Sequence, residues 1–201
     1  MLTNIKRWLL FVVTGVGLVL LLAIAASFVV THRVRSQAAG YLDVVRELRI
    51  GTTYDIAVAQ LHNAKTPMTL LGECSRECSL VFRFEDKLLY ALHLAPPTGF
   101  IGRLRFQDGR LVSKLTVMGR DTCCMAAVQE SASEISKTLP RTVDSAGHPW
   151  KIIVGLSAAD FTGYRNQAYA FNVACIGSMK GCRTDEYLPT AHDLERASKG
   201  R

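Results

Sequence analysis

The chain has 201 residues, 49% of them hydrophobic and 20% charged, with 24 Lys and Arg against 17 Asp and Glu for a net charge of +7. That composition excludes a disordered or low-complexity polypeptide and is long enough for one domain with a core of its own. The charge is unevenly spread. Lys6, Arg7, Arg33 and Arg35 stand in the first 35 residues without an acid, so the rest of the chain is close to balanced and its charge is weak evidence for nucleic-acid binding.

The first element is the uncharged run from Trp8 to Val30, WLLFVVTGVGLVLLLAIAASFVV. About 20 apolar residues in a helix cross the hydrocarbon core of a bilayer, so the run predicts a transmembrane helix over 8–30 behind a short tail over 1–7. A cleaved signal peptide shares the basic start at Lys6 and Arg7 and an exit such as Ala23-Ile24-Ala25. Apolar residues continue past that exit through Phe28, Val29 and Val30, which favours an uncleaved anchor. Basic residues flank both ends almost equally, so the positive-inside rule leaves the orientation open.

Residues 36–50 keep helical spacing through Ala38, Tyr41, Leu42, Val45 and Leu48, giving a juxtamembrane helix over 31–50 that ends at Gly51. Thr52-x-x-Asp55 matches a capping box and opens a helix with Tyr54, Val58 and Leu61 on one face, stopping near Asn63. From about residue 68 the period becomes two. Leu80, Phe82 and Phe84 alternate with polar positions, and Asp86-Lys87 turns the chain into LLYALHLA. GFIGRLRFQ and RLVSKLTVM flank Asp108-Gly109, the strongest short hairpin signal in the chain. CCMAAVQES and PWKIIVGL read as two more strands, with a turn or loop over 131–147 between them. Ser157-x-x-Asp160 opens a last helix carrying Phe161, Tyr164, Ala168, Phe171 and Cys175 on one face. The expected fold is α+β: an N-terminal transmembrane helix, then an antiparallel meander packed against two or three helices. The domain occupies 51–189 and a flexible tail 190–201.

Six cysteines, Cys74, Cys78, Cys123, Cys124, Cys175 and Cys182, are an even set. In a non-cytosolic protein such a set reads as a disulfide framework. Spacing favours local 74–78 and 175–182 bridges. The vicinal pair Cys123 and Cys124 would point to opposite faces of a strand, and each could instead take a distant partner. Cys-x3-Cys also matches half of a zinc site. The disulfide reading breaks the tie in orientation: N-terminus in the cytoplasm, domain outside it.

The segment LRIGTTYDIAVAQL resembles the helix entry of the SmpA/OmlA-type outer-membrane-assembly lipoproteins, where a Gly and a hydroxyl residue open a helix before a sheet. The resemblance covers about 14 residues, and this chain lacks that family's lipid-bearing Cys. CIGSMKGCRTDEYLP is similar to the ends of uncharacterised bacterial single-pass membrane-anchored proteins. Neither resemblance carries a functional residue across.

No zinc-protease motif, phosphate loop or Cys-x-x-Cys occurs. Cys123 or Cys124 with Asp121, His93 or His148 could form a thiol or hydrolase site. A cytoplasm-facing zinc-stabilised domain is a further alternative. The better candidate is a basic strand face. Leu104, Phe106, Leu111 and Leu115 suit the core, which turns Arg103, Arg105, Lys114 and Arg83 outward, with Arg103 opposite Lys114 in simple hairpin register. Like charges facing across a hairpin destabilise it, so their retention points to anionic headgroups or an acidic protein partner. The expectation is a membrane-anchored, non-catalytic binding or assembly module of the cell envelope, without a cofactor.

Overall fold

The computed structural model describes residues 2–120, 123–132, 152–157, 162–191 and 193–194. Its first element, α1, is a single helix over Leu2–Glu47. At ~1.5 Å per residue it is roughly 69 Å long. One stretch of it, near the N-terminus, is long and apolar enough to cross a membrane. Phe11, Val13, Leu18, Leu22, Ile24, Phe28 and Val29 are all exposed there. The same helix then enters the domain core, where Ala38, Tyr41, Leu42 and Val45 are buried. The membrane and juxtamembrane segments expected from sequence are therefore one uninterrupted rod.

Gly51, at φ +91°, turns the chain into α2 over Tyr54–Asn63. The predicted capping box does not form. Thr53 is the N-cap and makes no side-chain cap bond, while the Thr52 hydroxyl donates back to the Arg49 carbonyl. Strand β1 covers Thr69–Glu73 and β2 covers Glu77–Glu85. The segment after Asp86-Lys87 is not a strand. It is the short helix α3, Lys87–Ala91, because the Asp86 carboxylate accepts from the Leu89 amide and starts a helical turn. Strands β3 (Thr98–Gln107), β4 (Arg110–Arg120), β5 (Cys123–Ser131) and β6 (Ile152–Ser157) complete a six-stranded sheet in chain order. The first five strands are an antiparallel meander, but β6 lies parallel to β5, so the sheet is mixed. A parallel neighbour needs a crossover connection, which the sequence reading did not supply. The residues that connect β5 to β6 lie outside the described ones.

Helix α4 spans Thr162–Ala168, shorter than the expected helix. Tyr164, Ala168, Phe171 and Cys175 are all buried as predicted, but Phe171 lies in irregular chain and Cys175 in a 3₁₀ turn over Val173–Cys175. Phe161 and the Ser157-x-x-Asp160 cap lie outside the described residues, as does most of segment 131–147. A short α5, Thr184–Tyr187, follows. Leu194 is buried and the Thr190 hydroxyl donates to Gln167, so the tail is packed at least that far.

One face of the sheet holds the core. Tyr41 is its centre, with ring centroids 4.8 Å from Phe82, 5.6 Å from Phe84 and 5.7 Å from Phe100. Gly102 makes room for it, since a Cβ there would fall on the Tyr41 phenol ring. The strands run alongside α1. Thr31 meets Asp86, Tyr41 lies over Gly102, and the amide of Gly51 bonds the Leu111 carbonyl. The Asp108-Gly109 turn, with φ +50° and +69°, is therefore at the end of the domain farthest from the apolar run.

Candidate functional site

The hairpin β3–β4 places most of the residues that sequence reasoning singled out. Near its turn the register is the simple one, with Gln107 opposite Arg110 and Phe106 opposite Leu111. A bulge then intervenes, and Arg105 faces Ser113, Leu104 faces Lys114 and Arg103 faces Leu115. One extra residue reverses the facing of everything beyond it. Lys114 is therefore not on the basic outer face. It is fully buried beside Leu104, and Leu115, expected in the core, lies on the outer side and is only partly covered. The expected Arg103–Lys114 opposition does not exist, and neither does the like-charge clash inferred from it.

Arg83, Arg103 and Arg105 do share the outer face, and all three are exposed. Arg103 pairs in register with Val81, Arg105 with Ser79 and Arg83 with Ile101. The Arg103 guanidinium donates to the Ser79 hydroxyl at 3.2 Å. Arg105 forms an ion pair with Glu77 at 2.8 Å, half exposed on both sides. Arg103 and Arg105, but not Arg83, border a shallow groove of about 210 Å³ lined also by Glu77, Ser113, Leu115 and Gln129. Two forked donors above a floor of Leu115 and small polar groups can take a carboxylate or phosphate side-on, with an apolar contact beneath it. An exposed pair such as Arg105–Glu77 holds its partner weakly, so an incoming anion can displace it.

A second charged cluster was missed altogether. Lys114, Glu130 and Arg165 are all within 1% of complete burial. Lys114 Nζ lies 2.6 Å from Glu130 and donates to the carbonyls of Val45 at 3.0 Å and Leu48 at 2.7 Å. Those carbonyls are at the C-terminal end of α1, where backbone acceptors lack intrahelical partners and the helix dipole is negative. Arg165 of α4 grips the other side of Glu130 through Nε at 3.3 Å and a terminal nitrogen at 2.9 Å. Tyr169 closes the cluster, with Lys114 Nζ 5.2 Å from its ring centroid. Burial pulls the Lys114 ammonium below its ordinary value, and the Glu130 charge opposes that pull. Burial pushes the Glu130 carboxyl up, and Lys114 opposes it. The Tyr169 phenol is raised by burial first and by the Glu130 charge second. The cluster joins α1, β4, β5 and α4, and its charged side chains are almost wholly buried, which fits a structural role.

The cysteines divide in two. Cys74–Cys78 and Cys175–Cys182 are disulfides, as their spacing predicted. Bonded to each other, Cys74 and Cys78 have no thiolates to offer zinc. Among the described residues no group of three or more His, Cys, Asp or Glu could hold a metal ion. Cys123 and Cys124 begin β5 beside a second register shift, between Met118 and Gly119. Their side chains lie outside the described ones, as do Asp121 and His148. His93 sits at the exposed turn after α3 with a left-handed φ of +56°.

Comparison with protein-family models, with curated proteins and with solved structures gives no match to this chain.

Proposed function

We propose that this protein is a single-pass, membrane-anchored binding module of the cell envelope, without catalysis of its own, whose outer sheet face takes an acidic protein segment. The observation that carries the reading is the pairing of the Arg103–Arg105 groove with a helix that runs unbroken from an exposed apolar stretch into the core. In this reading α1 spans the bilayer, its N-terminus is cytoplasmic, and the domain lies on the oxidising side, where two disulfides are stable.

Height along the sheet separates the two kinds of acidic partner. If the bilayer surface lies near Thr31, it lies near Asp86, at the end of β2. Arg105 pairs with Ser79, seven residues before Asp86 in the chain. At ~3.3 Å per residue that is about 23 Å above the surface, well beyond a headgroup layer several Å deep. Arg83 is low enough to meet headgroups. Arg103 and Arg105 are not, so an acidic polypeptide fits the groove better than lipid.

Binding of a fluorescent oligoglutamate probe to the full chain in nanodiscs tests this. Binding that weakens with salt and is lost in R103E/R105E, but not in a lysine-for-arginine pair at an unrelated exposed site, is the expected result. Equal binding by R103E/R105E would refute the groove. Differential thiol labelling in native membranes tests the topology: Cys74, Cys78, Cys175 and Cys182 should be protected until reduction, and free labelling would turn the domain to the cytoplasm.

A further inference from the structure

We infer that the domain has a second, shallow contact with the bilayer, made by the exposed apolar turn Tyr90–Leu94 and by Met179 at the tip of the Cys175–Cys182 loop. The inference rests on the reading of α1 as a membrane anchor, and it adds a surface that the anchor does not require.

The contact is built around the point where α1 leaves its apolar stretch. Thr31, one residue past Val30, donates to the Asp86 carboxylate that starts α3. Arg35, one turn on, donates to the carbonyls of Ala174 and Ile176, both at 2.8 Å, and so clamps the disulfide-closed loop to the same side of α1. Gly177 fills the angle between them. A Cβ there would stand 2.9 Å from both Asp86 and Thr31 and 3.3 Å from Leu89, and its φ of +66° favours glycine as well. Three separate pieces of chain are thus fixed at the level of Thr31.

What these pieces present outward is apolar. Tyr90 is 55% exposed, Leu92 45%, Leu94 47% and Met179 67%. A water-facing turn of this size is usually polar, and four large apolar side chains at one level mark an interaction surface. The backbone of the turn is also closed on itself. Leu92 N–H bonds Leu88, His93 N–H bonds Tyr90, and Leu94 N–H bonds Leu89 across five residues. That is a Schellman ending with His93 in the left-handed position normally taken by glycine. A segment that satisfies its own amides can enter an apolar interface at little cost, whereas an open loop cannot.

Charge agrees with the placement. His32, Arg33, Lys87 and Lys180 are exposed on the same three pieces. Cations beside apolar side chains are the composition of a segment lying in the headgroup boundary, with the stems of Lys and Arg reaching outward. The occupant is therefore the leaflet from which α1 emerges, because the pieces that carry these side chains are tied to α1 at Thr31 and Arg35, just past the end of its apolar stretch. Docked this way, the domain is held at two points and cannot swing about the helix exit.

The test uses the unaltered full chain in phosphatidylcholine–phosphatidylglycerol nanodiscs doped with a phospholipid bearing a shallow photoactivatable carbene. Insertion sites are then mapped by mass spectrometry. Insertion at Tyr90–Leu94 and Met179 should come within about threefold of that at Ile24–Val29, and exceed that at exposed Leu70 and Leu71 by about tenfold. Insertion in the helix but at background level in the turn and loop would overturn the contact and leave the anchor standing. No insertion in 8–30 would overturn the anchor itself. A variant with L92D and L94D should lose labelling at the turn and keep it in the helix. If a second copy of the chain covers the surface, lipid labelling of the turn is absent while that of the helix remains, which also refutes the inference.

Discussion

Replacing Glu130 by Gln removes the single anion between two buried cations while keeping the side chain's size. In the native cluster Lys114 and Arg165 share one carboxylate, and the surplus positive charge is met by the α1 carbonyls of Val45 and Leu48. In E130Q those two cations face an amide, with 0% and 1% of their side chains exposed to water. Breaking a buried pair from one side costs about 3–5 kcal/mol, because the remaining charge is left uncompensated. Against a typical domain stability of roughly 5–15 kcal/mol, that is a large share. The assay is urea unfolding of the full chain in detergent micelles, followed by near-ultraviolet circular dichroism. With an m-value of about 2 kcal/mol/M, the midpoint should fall by about 2 M. E77Q provides the calibration, since Glu77 pairs with Arg105 in half-exposed surroundings and should cost under about 1 kcal/mol. K114M should cost less than E130Q, because Arg165 still neutralises Glu130 and reaches both of its oxygens, although Glu130 and the two carbonyls each lose one donor. The double variant K114M/E130Q should therefore be less destabilised than the sum of its parts. If E130Q moves the midpoint no more than E77Q does, the cluster is not charged and buried as described, and the reasoning fails.

Three further outcomes follow from the same core. G102A should destabilise by about 3 kcal/mol, because the new Cβ lands on the fully buried Tyr41 ring, whereas G99A in the same strand meets only Glu85 Cγ at 3.4 Å and should be neutral or slightly stabilising in thermal melts. Tyr41 and Tyr169 hold their protons above the ordinary value of 10.0 through burial, so their contribution is complete below pH 10 and is lost as pH rises, at about 1.4 kcal/mol per unit for each. Lys114 acts in the opposite sense, its lowered value giving stability that rises with pH up to 10.5, so a net fall should be seen beyond that point. Tyrosinate absorbance should show these two phenols titrating only with unfolding. C175S/C182S should lose about 2–3 kcal/mol by loop-closure entropy and free the Cys175–Cys182 segment, read as faster hydrogen exchange at Ile176–Gly181.

The strands were legible because alternation is a local property. Leu80, Phe82 and Phe84 needed only their period, and the Asp108-Gly109 turn needed only its two residues. The two local disulfides followed from spacing. Lys114 was misplaced because a bulge is set by how two strands fit over a curved core, and nothing in RLVSKLTVM marks the extra residue. Glu130 was within reach of the same reasoning. It stands at the i+2 and i+4 positions from Val128 and Ala126 and so had to share their buried face. A carboxylate on a core face requires a cation, and following that requirement would have led to Lys114 or Arg165. The parallel β6 and the irregular chain after Ala168 depend on long connections whose path the local pattern does not encode.

The continuity of α1 gives the groove a fixed address. A flexible linker would let the domain tumble above its anchor, and the height of the arginines would average out. Here no linker exists between the apolar stretch and Ala38, which is completely buried, and Lys114 fastens the far end of the same helix to Glu130 and Arg165. Tilt of the helix and tilt of the sheet are then one motion. Under the proposed topology, Arg103 and Arg105 face sideways, parallel to the membrane, rather than down onto it or straight out from it. A partner that fills the groove must present its acidic segment at that height and from that side. This favours a partner held near the same membrane over one arriving freely from solution, because tethering raises the effective concentration of a weak, salt-screened contact. Inserting a Gly-Ser pair between Val30 and Thr31, before the contacts of Thr31 and Arg35 with the domain, separates the two contributions. It should leave intrinsic affinity for oligoglutamate in detergent unchanged, yet abolish the orientation seen as protection of one sheet face when acidic peptide is displayed on the nanodisc surface. Loss of affinity in detergent as well would mean that the helix shapes the groove rather than only aiming it.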